Sequence, residues 1–401
     1  MNTDTCRTCI EYLTKDLGHR GSTTDNESKA AEYARRVLGA LRVPQVEMQR
    51  FRSGVKIWQP YIVCLYLGLL SAILYPLSGA TTRLLAALVS VCALWWLYRE
   101  LNFENNLVRR ILPKGDSQNV IGVIPPQAEV RRKVVLIGHL DSGQTPLLLG
   151  SLWTLPVFVG LSMAVVASLG LNAVLYAVGA LCGDTWLYQV SWIGTALQGV
   201  TLIFALEAEI SPYTQGANDN ASAVGVVLSL AERAVEAPLQ HTQVWTLLSG
   251  CEEVGCYGMI HFLDGYRDKL REAYFINMEG VGCGTLHYAS SEGMLKAYPS
   301  DPELQAIAQH VLDQHPEMKG RAHVLRAGYT ETGVVVKNGL KGITVLGLEA
   351  GGLYKYLPHW HQRGDTFDKL DHEALSRTHE FVWEMLQEID RQATAHPPQA
   401  E

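Results

Sequence analysis

Apolar positions along the chain follow two regimes. In the first, short β-branched or aromatic runs (Asn119–Ile124, Val134–Ile137, Val244–Leu248, Tyr274–Met278 and Ile343–Leu348) show no alternation, as in strands buried on both faces. Between them lie stretches with one apolar face at helical spacing. Ser28–Leu41 places Ala30, Ala31, Tyr33, Ala34, Val37 and Leu38 on one side, and Ala221–Ala237, Asp301–Gln314 and His372–Ala393 read the same way. This alternation predicts an α/β fold with a mixed, mainly parallel central sheet flanked by helices. The second regime is continuous apolarity. Runs 58–75 and 84–98 flank Pro76-Leu77-Ser78-Gly79-Ala80, and runs 147–182 and 186–206 flank Gly183-Asp184. Each approaches the roughly 20 residues that cross a bilayer, so two inserted helical hairpins are expected. Trp58, Tyr61, Trp95, Trp96 and Tyr98 lie towards the outer ends of the first pair, where interfacial aromatics gather.

Charge sharpens the division. Only 18% of the 401 residues are charged, and the deficit is local. Residues 57–98 contain Arg83 alone and residues 142–206 contain Asp184 alone, leaving 71 of the 73 charged side chains to the other 294 residues. The chain therefore reads as one soluble domain (1–56, 99–141 and 207–395), two hydrophobic insertions (57–98 and 142–206) and a loose tail (396–401). Both sides of each insertion belong to that domain, so each insertion returns to the side it left, giving four spans. Arg50, Arg52 and Lys56 precede the first insertion and Arg99, Arg109, Arg110 and Lys114 follow it. That bias places the domain in the cytoplasm at a membrane. The alternative is a soluble cytoplasmic protein whose hairpins cap the domain or form a dimer contact. A net charge of −7 without a Lys/Arg run argues against nucleic acid as a partner. Eight scattered cysteines suggest a reducing compartment, with Cys6 and Cys9 on an N-terminal amphipathic helix. Residues 1–35 lack the pattern of a cleaved signal peptide.

The polar residues behind the strand runs carry the chemistry. Val134–Ile137 leads into Gly138-His139-Leu140-Asp141, and Asn218-Asp219-Asn220 opens the helix from Ala221. Val244–Leu248 leads through Ser249-Gly250-Cys251 to Glu252-Glu253, and Tyr274–Met278 ends in Glu279-Gly280. His359-Trp360-His361-Gln362-Arg363-Gly364-Asp365-Thr366 lies near the C-terminus. Ligands gather at the carboxyl ends of strands in open α/β sheets. Nitrogen and carboxylate donors without cysteine suit catalytic zinc.

This order of motifs resembles the M28 family of co-catalytic zinc aminopeptidases, across everything outside the insertions. The resemblance implies a zinc exopeptidase type of fold and two zinc ions per chain, bridged by Asp219. His139 and Glu279 would complete one site, and Glu253 and His361 the other. Glu252 would be the general base and Asp141 would orient His139. The implied activity is a membrane-anchored dinuclear zinc metallopeptidase, an aminopeptidase acting on peptides. Two alternatives share the scaffold: a glutaminyl cyclase-like single-zinc acyltransferase and a non-catalytic binding homologue. The sequence departs from the family at Glu279, where many members have Asp, and at Tyr329-Thr330-Glu331-Thr332, where members often carry an Asp-His pair.

Overall fold

The computed structural model describes residues 3–77, 79–151, 153–183, 185–326, 328–351 and 354–395. The tail expected from residue 396, and Asp184 between the third and fourth apolar runs, lie outside the described residues. The strands are β1 (Gln45–Gly54), β2 (Lys114–Ile124), β3 (Arg132–His139), β4 (Thr242–Ser249) and β5 (Tyr274–Glu279), followed by β6 (Thr285–Glu292), β7 (Tyr298–Pro299), β8 (Arg321–Leu325), β9 (Lys341–Gly351) and β10 (Tyr354–Tyr356). They form one sheet in the order β1-β2-β4-β3-β5-β9-β6-β7, with β8 on β6 and β10 on β9. The fold is the mixed, largely parallel sheet flanked by helices that the apolar runs imply.

Its centre is parallel. In β3, Val135 lies opposite Trp245 of β4 and Phe275 of β5, and all three are buried. β5 pairs in parallel with β9. Antiparallel β1, β2 and β6 extend the sheet on either side. The carboxyl ends of β3, β4 and β5 therefore finish along one edge, which fixes the place of the polar motifs. Beside the sheet, the helix Ser222–Glu236 is buried along nearly its whole length. The helix Thr3–Glu11 packs against it: a side chain at Gly225 would meet the carbonyl of Cys6 at 2.9 Å and Ile10 at 2.8 Å. Cys6 and Cys9 are thus core thiols, and burial pushes the Cys6 thiol up to about 12.

The chain divides into two compact units, one of residues 1–55, 114–143 and 213–401 and the other of 56–113 and 144–212. The first holds the sheet. The second is built on four helices: Gln59–Leu74, Gly79–Glu100, Leu155–Cys182 and Trp186–Ile210. The last three are long and apolar enough to cross a membrane, whereas the first has 16 residues, or about 24 Å at 1.5 Å per residue.

The packing of this second unit is inverted relative to a water-soluble bundle. Ser71, Ser90, Ser168, Asn172, Ser191, Thr195 and Gln198 are buried, while Ile73, Leu88, Leu181, Ile193, Ile203 and Ile210 are exposed. The inward polar groups join helices: Ser90 Oγ donates to Leu169 O at 3.0 Å, Gln198 Nε2 to Ser168 Oγ at 3.1 Å, and Tyr188 Oη to Ala72 O at 3.0 Å. Hydrocarbon supplies no hydrophobic drive between helices, so small residues and interhelical hydrogen bonds hold such bundles together. Gly68 marks the closest approach. A Cβ there would meet Gln198 Oε1 at 2.5 Å and Leu169 Cδ2 at 2.8 Å. Gly68→Val should therefore cost about 1–3 kcal/mol by overpacking, read as a lower melting temperature in detergent; an unchanged melt would disprove the tight seam.

Candidate metal centre

The site grows from the strand ends. His139 is the last residue of β3 and pairs with Ser249 at the end of β4. The chain then bends, with Leu140 N donating to Ser249 O at 2.7 Å, and brings Asp141 inside the protein. Its carboxylate accepts from Glu252 N and Glu253 N, both at 3.1 Å, and from Ser22 Oγ at 2.7 Å. Asp141 also reaches His139: Nδ1 lies 3.1 Å from the Asp141 carbonyl and 3.4 Å from its carboxylate. Asp141 thus ties the β3 and β4 ends together, holding the Glu252–Glu253 turn by its backbone as well as facing His139.

The Asn218-Asp219-Asn220 segment is held from both sides. Asp365 accepts from Asn218 N at 2.7 Å and Asp219 N at 3.1 Å. Asn218 Oδ1 accepts from Gly282 N at 2.8 Å, and Asn220 Oδ1 accepts from Gly280 N at 3.1 Å, beside Glu279. The two asparagines are staples and leave Asp219 to face the site. Gly216 precedes them at φ +62°, where a Cβ would meet Asp219 O at 2.6 Å, so this turn requires glycine.

Donor atoms of His139, Asp219 and Glu253 all lie within 4.8 Å of one another, and all three residues are buried. His139 Nε2 is 3.2 Å from Asp219 Oδ1 and 3.4 Å from Glu279 Oε1. His361 Nε2 is 3.2 Å from Glu253 Oε2 and 3.9 Å from Asp219 Oδ2. Glu252 Oε2 stands 4.0 Å from His139 Nε2, and its other oxygen accepts from the Cys256 thiol at 3.4 Å. The structure thus gathers every residue singled out from the motifs: His139, Asp141, Asp219, Glu252, Glu253, Glu279 and His361. His359 is half-buried at φ +64°.

These residues fit a divalent cation. Burial raises the carboxyls of Glu252 and Glu253; His139 opposes it at Glu252 and His361 at Glu253, while Glu331 and Glu279 add to it at Glu252 and Asp219 at Glu253. Glu279 is pushed up to about 8, chiefly by burial. Burial disfavours charge on His139, yet Glu279, Asp141 and Asp219 outweigh it and raise its pKa well above the usual imidazole range. Glu253 Oε1 is buried with no hydrogen-bond partner among the described residues, a state that costs about 1–3 kcal/mol or more for a charged group. Gly143 leaves the space open, since a Cβ there would lie 2.5 Å from His361 and 2.7 Å from Glu253 Oε1. A cation satisfies the orphaned oxygen and the crowded carboxylates together.

Two buried residues escape motif reading. Glu331 is fully buried, accepts a short hydrogen bond from Ser249 Oγ and leaves Oε2 unpartnered. It lies close enough to Glu252 and Glu279 to raise both by repulsion. The only signal for it was the departure from the family pattern at that segment. Arg20, also fully buried, donates to the carbonyls of Leu13, Gly18, Leu140, Gln215 and Gly216. Its guanidinium joins the loop after β3 to the loop before Asp219. Burial brings its pKa down to about 10, opposed by Asp365, Asp141 and Asp219, and it stays cationic at neutral pH. Arg20→Met would strand these carbonyls, and a loss of about 3–5 kcal/mol is expected by urea unfolding; a loss under 1 kcal/mol would show that the loops hold without it.

A model of peptidase family M28 matches residues 200–386. No curated protein matches the sequence. Solved structures with a similar fold include a glutaminyl cyclase from Bacteroides thetaiotaomicron bound to N-acetylhistamine, 13% identical with a TM-score of 0.57, covering 96% of this chain and 97% of that one. The zinc aminopeptidase BSAP from Bacillus subtilis is 12% identical with a TM-score of 0.57, covering 96% and 94%. A Zn-dependent exopeptidase from Parabacteroides distasonis is 12% identical with a TM-score of 0.56, covering 97% of each chain. The fold is M28-like. The match and the buried His–Asp–Glu triad support a zinc metallopeptidase or hydrolase.

The expected dinuclear aminopeptidase is corrected here. One set of three donors converges among the described residues, not two, and the similar folds include glutaminyl cyclases as well as aminopeptidases. The physical reason lies at the edges of the cluster. Glu279 is engaged with His139 and with Asn220 Nδ2 at 3.3 Å. His361 is engaged with Glu253, so neither builds a second convergent triad.

Proposed function

We propose that this protein is a membrane-anchored single-zinc enzyme of the glutaminyl cyclase type, acting on the N-terminal glutaminyl residue of a peptide. The convergence of one triad, His139, Asp219 and Glu253, carries the reading. Glutaminyl cyclases among the similar folds support it.

His139, Asp219 and Glu253 would hold a zinc ion, which would supply Lewis-acid polarisation of a carbonyl. Glu252, beside the triad but outside it, takes a proton from the attacking α-amine and hands it to the leaving nitrogen. A carbon–nitrogen bond forms at the side-chain carboxamide, its C–NH2 bond breaks, and ammonia departs with the transferred proton. Asp141 fixes the turn carrying Glu252 and Glu253, so base and ligand keep separate aims. Glu279 lies against His139 and His361 against Glu253, and they would orient these two donors.

The M28 match favours a second reading, single-zinc hydrolysis of a peptide, with water as the nucleophile that Glu252 deprotonates. Metal analysis together with assays on an N-terminal glutaminyl peptide separates the two. One zinc per chain, ammonia release and a cyclised product are expected; liberation of a free amino acid without ammonia would overturn cyclisation.

Membrane anchorage rests on the three long apolar helices and on the polar interior of their bundle. We read residues 57–98 and 142–206 as two hairpins inserted into a catalytic domain of 1–56, 99–141 and 207–395. The Arg and Lys excess flanking the first insertion supports a cytoplasmic catalytic domain.

A further inference from the structure

The end of the helix Gly79–Glu100 and the short helix Leu107–Ile111 enclose a cavity of about 210 Å³. Trp95, Trp96, Arg99 and Arg110 line it, with Asn105, Asn106 and Leu107 completing the wall. From this juxtaposition we infer a binding site for the phosphate headgroup of an anionic phospholipid. The inference rests on the membrane reading of the four helices.

The framework is rigid without any ligand. Glu100 and Arg109 form a buried ion pair at 2.8 Å, and Asn106 Nδ2 donates to the same Glu100 oxygen at 2.9 Å. Asn106 Oδ1 also caps the short helix by accepting from Arg109 N at 2.9 Å. These two opposite charges neutralise each other, so the cavity's character comes from Arg99 and Arg110. Arg99 lies over the Trp95 ring, 5.7 Å from its centroid, and Glu104 faces it at 3.3 Å. Arg110 Nε donates to Asn105 Oδ1 at 3.3 Å and has no carboxylate partner among the described residues. Glu104 offsets one guanidinium, leaving the cavity net cationic.

The surroundings select a lipid over a free anion. Trp95 and Tyr98 are exposed at the end of an apolar helix long enough to span, where ring and headgroup meet at a membrane surface. Leu107 is 50% exposed and Ile111 67% exposed. They flank Arg110 with apolar surface of the kind an acyl chain covers. Cationic pockets beside spanning helices recruit anionic headgroups.

The test uses full-length protein reconstituted in phosphatidylcholine nanodiscs with and without phosphatidylglycerol, with retained lipid read by native mass spectrometry. Wild type should retain phosphatidylglycerol over phosphatidylcholine. R99Q/R110Q should lose that preference by about tenfold or more, while R50Q/R52Q, which removes two charges elsewhere, keeps it. Arg110→Glu alone spares the Arg99–Glu104 pair and should act in the same direction if the double variant fails to fold. No preference in wild type, or equal loss in R50Q/R52Q, would overturn the site. Displacement of the lipid by inorganic phosphate at equal concentration would assign a soluble anion instead and overturn the lipid source. Alkaline carbonate extraction tests the membrane reading separately. Protein that resists extraction yet shows no lipid preference refutes the headgroup site alone.

Discussion

Glu252→Gln should keep its zinc and its fold and lose about three orders of magnitude in turnover, within the range for removal of a general base. Such a loss corresponds to about 4 kcal/mol of transition-state stabilisation. Glu252 and Glu253 leave one turn whose two amide nitrogens are both held by Asp141, yet Glu253 joins the donor triad and Glu252 does not. The Cys256 thiol holds one Glu252 oxygen at 3.4 Å, leaving the other 4.0 Å from His139 Nε2. Glutamine fills the same volume and accepts from Cys256 through its carbonyl oxygen, but its amide nitrogen takes up no proton. Ammonia release from an N-terminal glutaminyl peptide measures turnover, and zinc content with melting temperature measures integrity. Turnover within tenfold of wild type in a zinc-replete variant would remove Glu252 from the role of base.

How far the sequence foretold this arrangement depends on the range of the interactions. β3, β4, β5 and β9 announce themselves because strands covered on both faces must be apolar throughout. β1 does not: its Gln45–Gly54 segment has only Val46, Met48 and Phe51 among polar residues, and of its ten residues only Phe51 and Ser53 are fully buried. The helix Glu331–Lys337 contains Val334, Val335 and Val336, residues that favour strands. It is helical because Thr330 caps it, its hydroxyl accepting from Thr332 N at 3.2 Å. The motifs at the strand ends were legible because each is local. Arg20 and Ser22 were not, since the partners that tie them to the site lie about 120 or more positions away, at Leu140, Asp141 and Gly216. The number of metal sites was illegible for a related reason. Five ligating residues in family order do not say which donor atoms converge, and only the folded loops bring His139, Asp219 and Glu253 together.

Asp219→Asn should abolish zinc binding while leaving the loop in place. The substitution keeps the backbone amides that Asn218 and Asp219 donate to Asp365, and keeps the side-chain volume. It removes the carboxylate at the centre of the cluster, 3.2 Å from His139 Nε2 and 3.9 Å from His361 Nε2. With two donors of the triad left, the ion loses an anionic ligand and the geometry that three donors impose. The consequence is measurable without any assay of turnover. A ligand at 1,000 times its Kd stabilises the folded state by about 4 kcal/mol. For a domain of this size that corresponds to roughly 10 °C in melting temperature. Wild type should show a rise of that order between chelator-treated and zinc-saturated protein. Asp219→Asn should show none, with no zinc retained after dialysis. Asp268→Asn, which removes an exposed carboxylate, should behave as wild type and so separates ligand loss from a change in net charge. A full zinc-dependent rise in Asp219→Asn would mean that His139 and Glu253 hold the ion without Asp219, and the triad would have to be redrawn around Glu279 or His361.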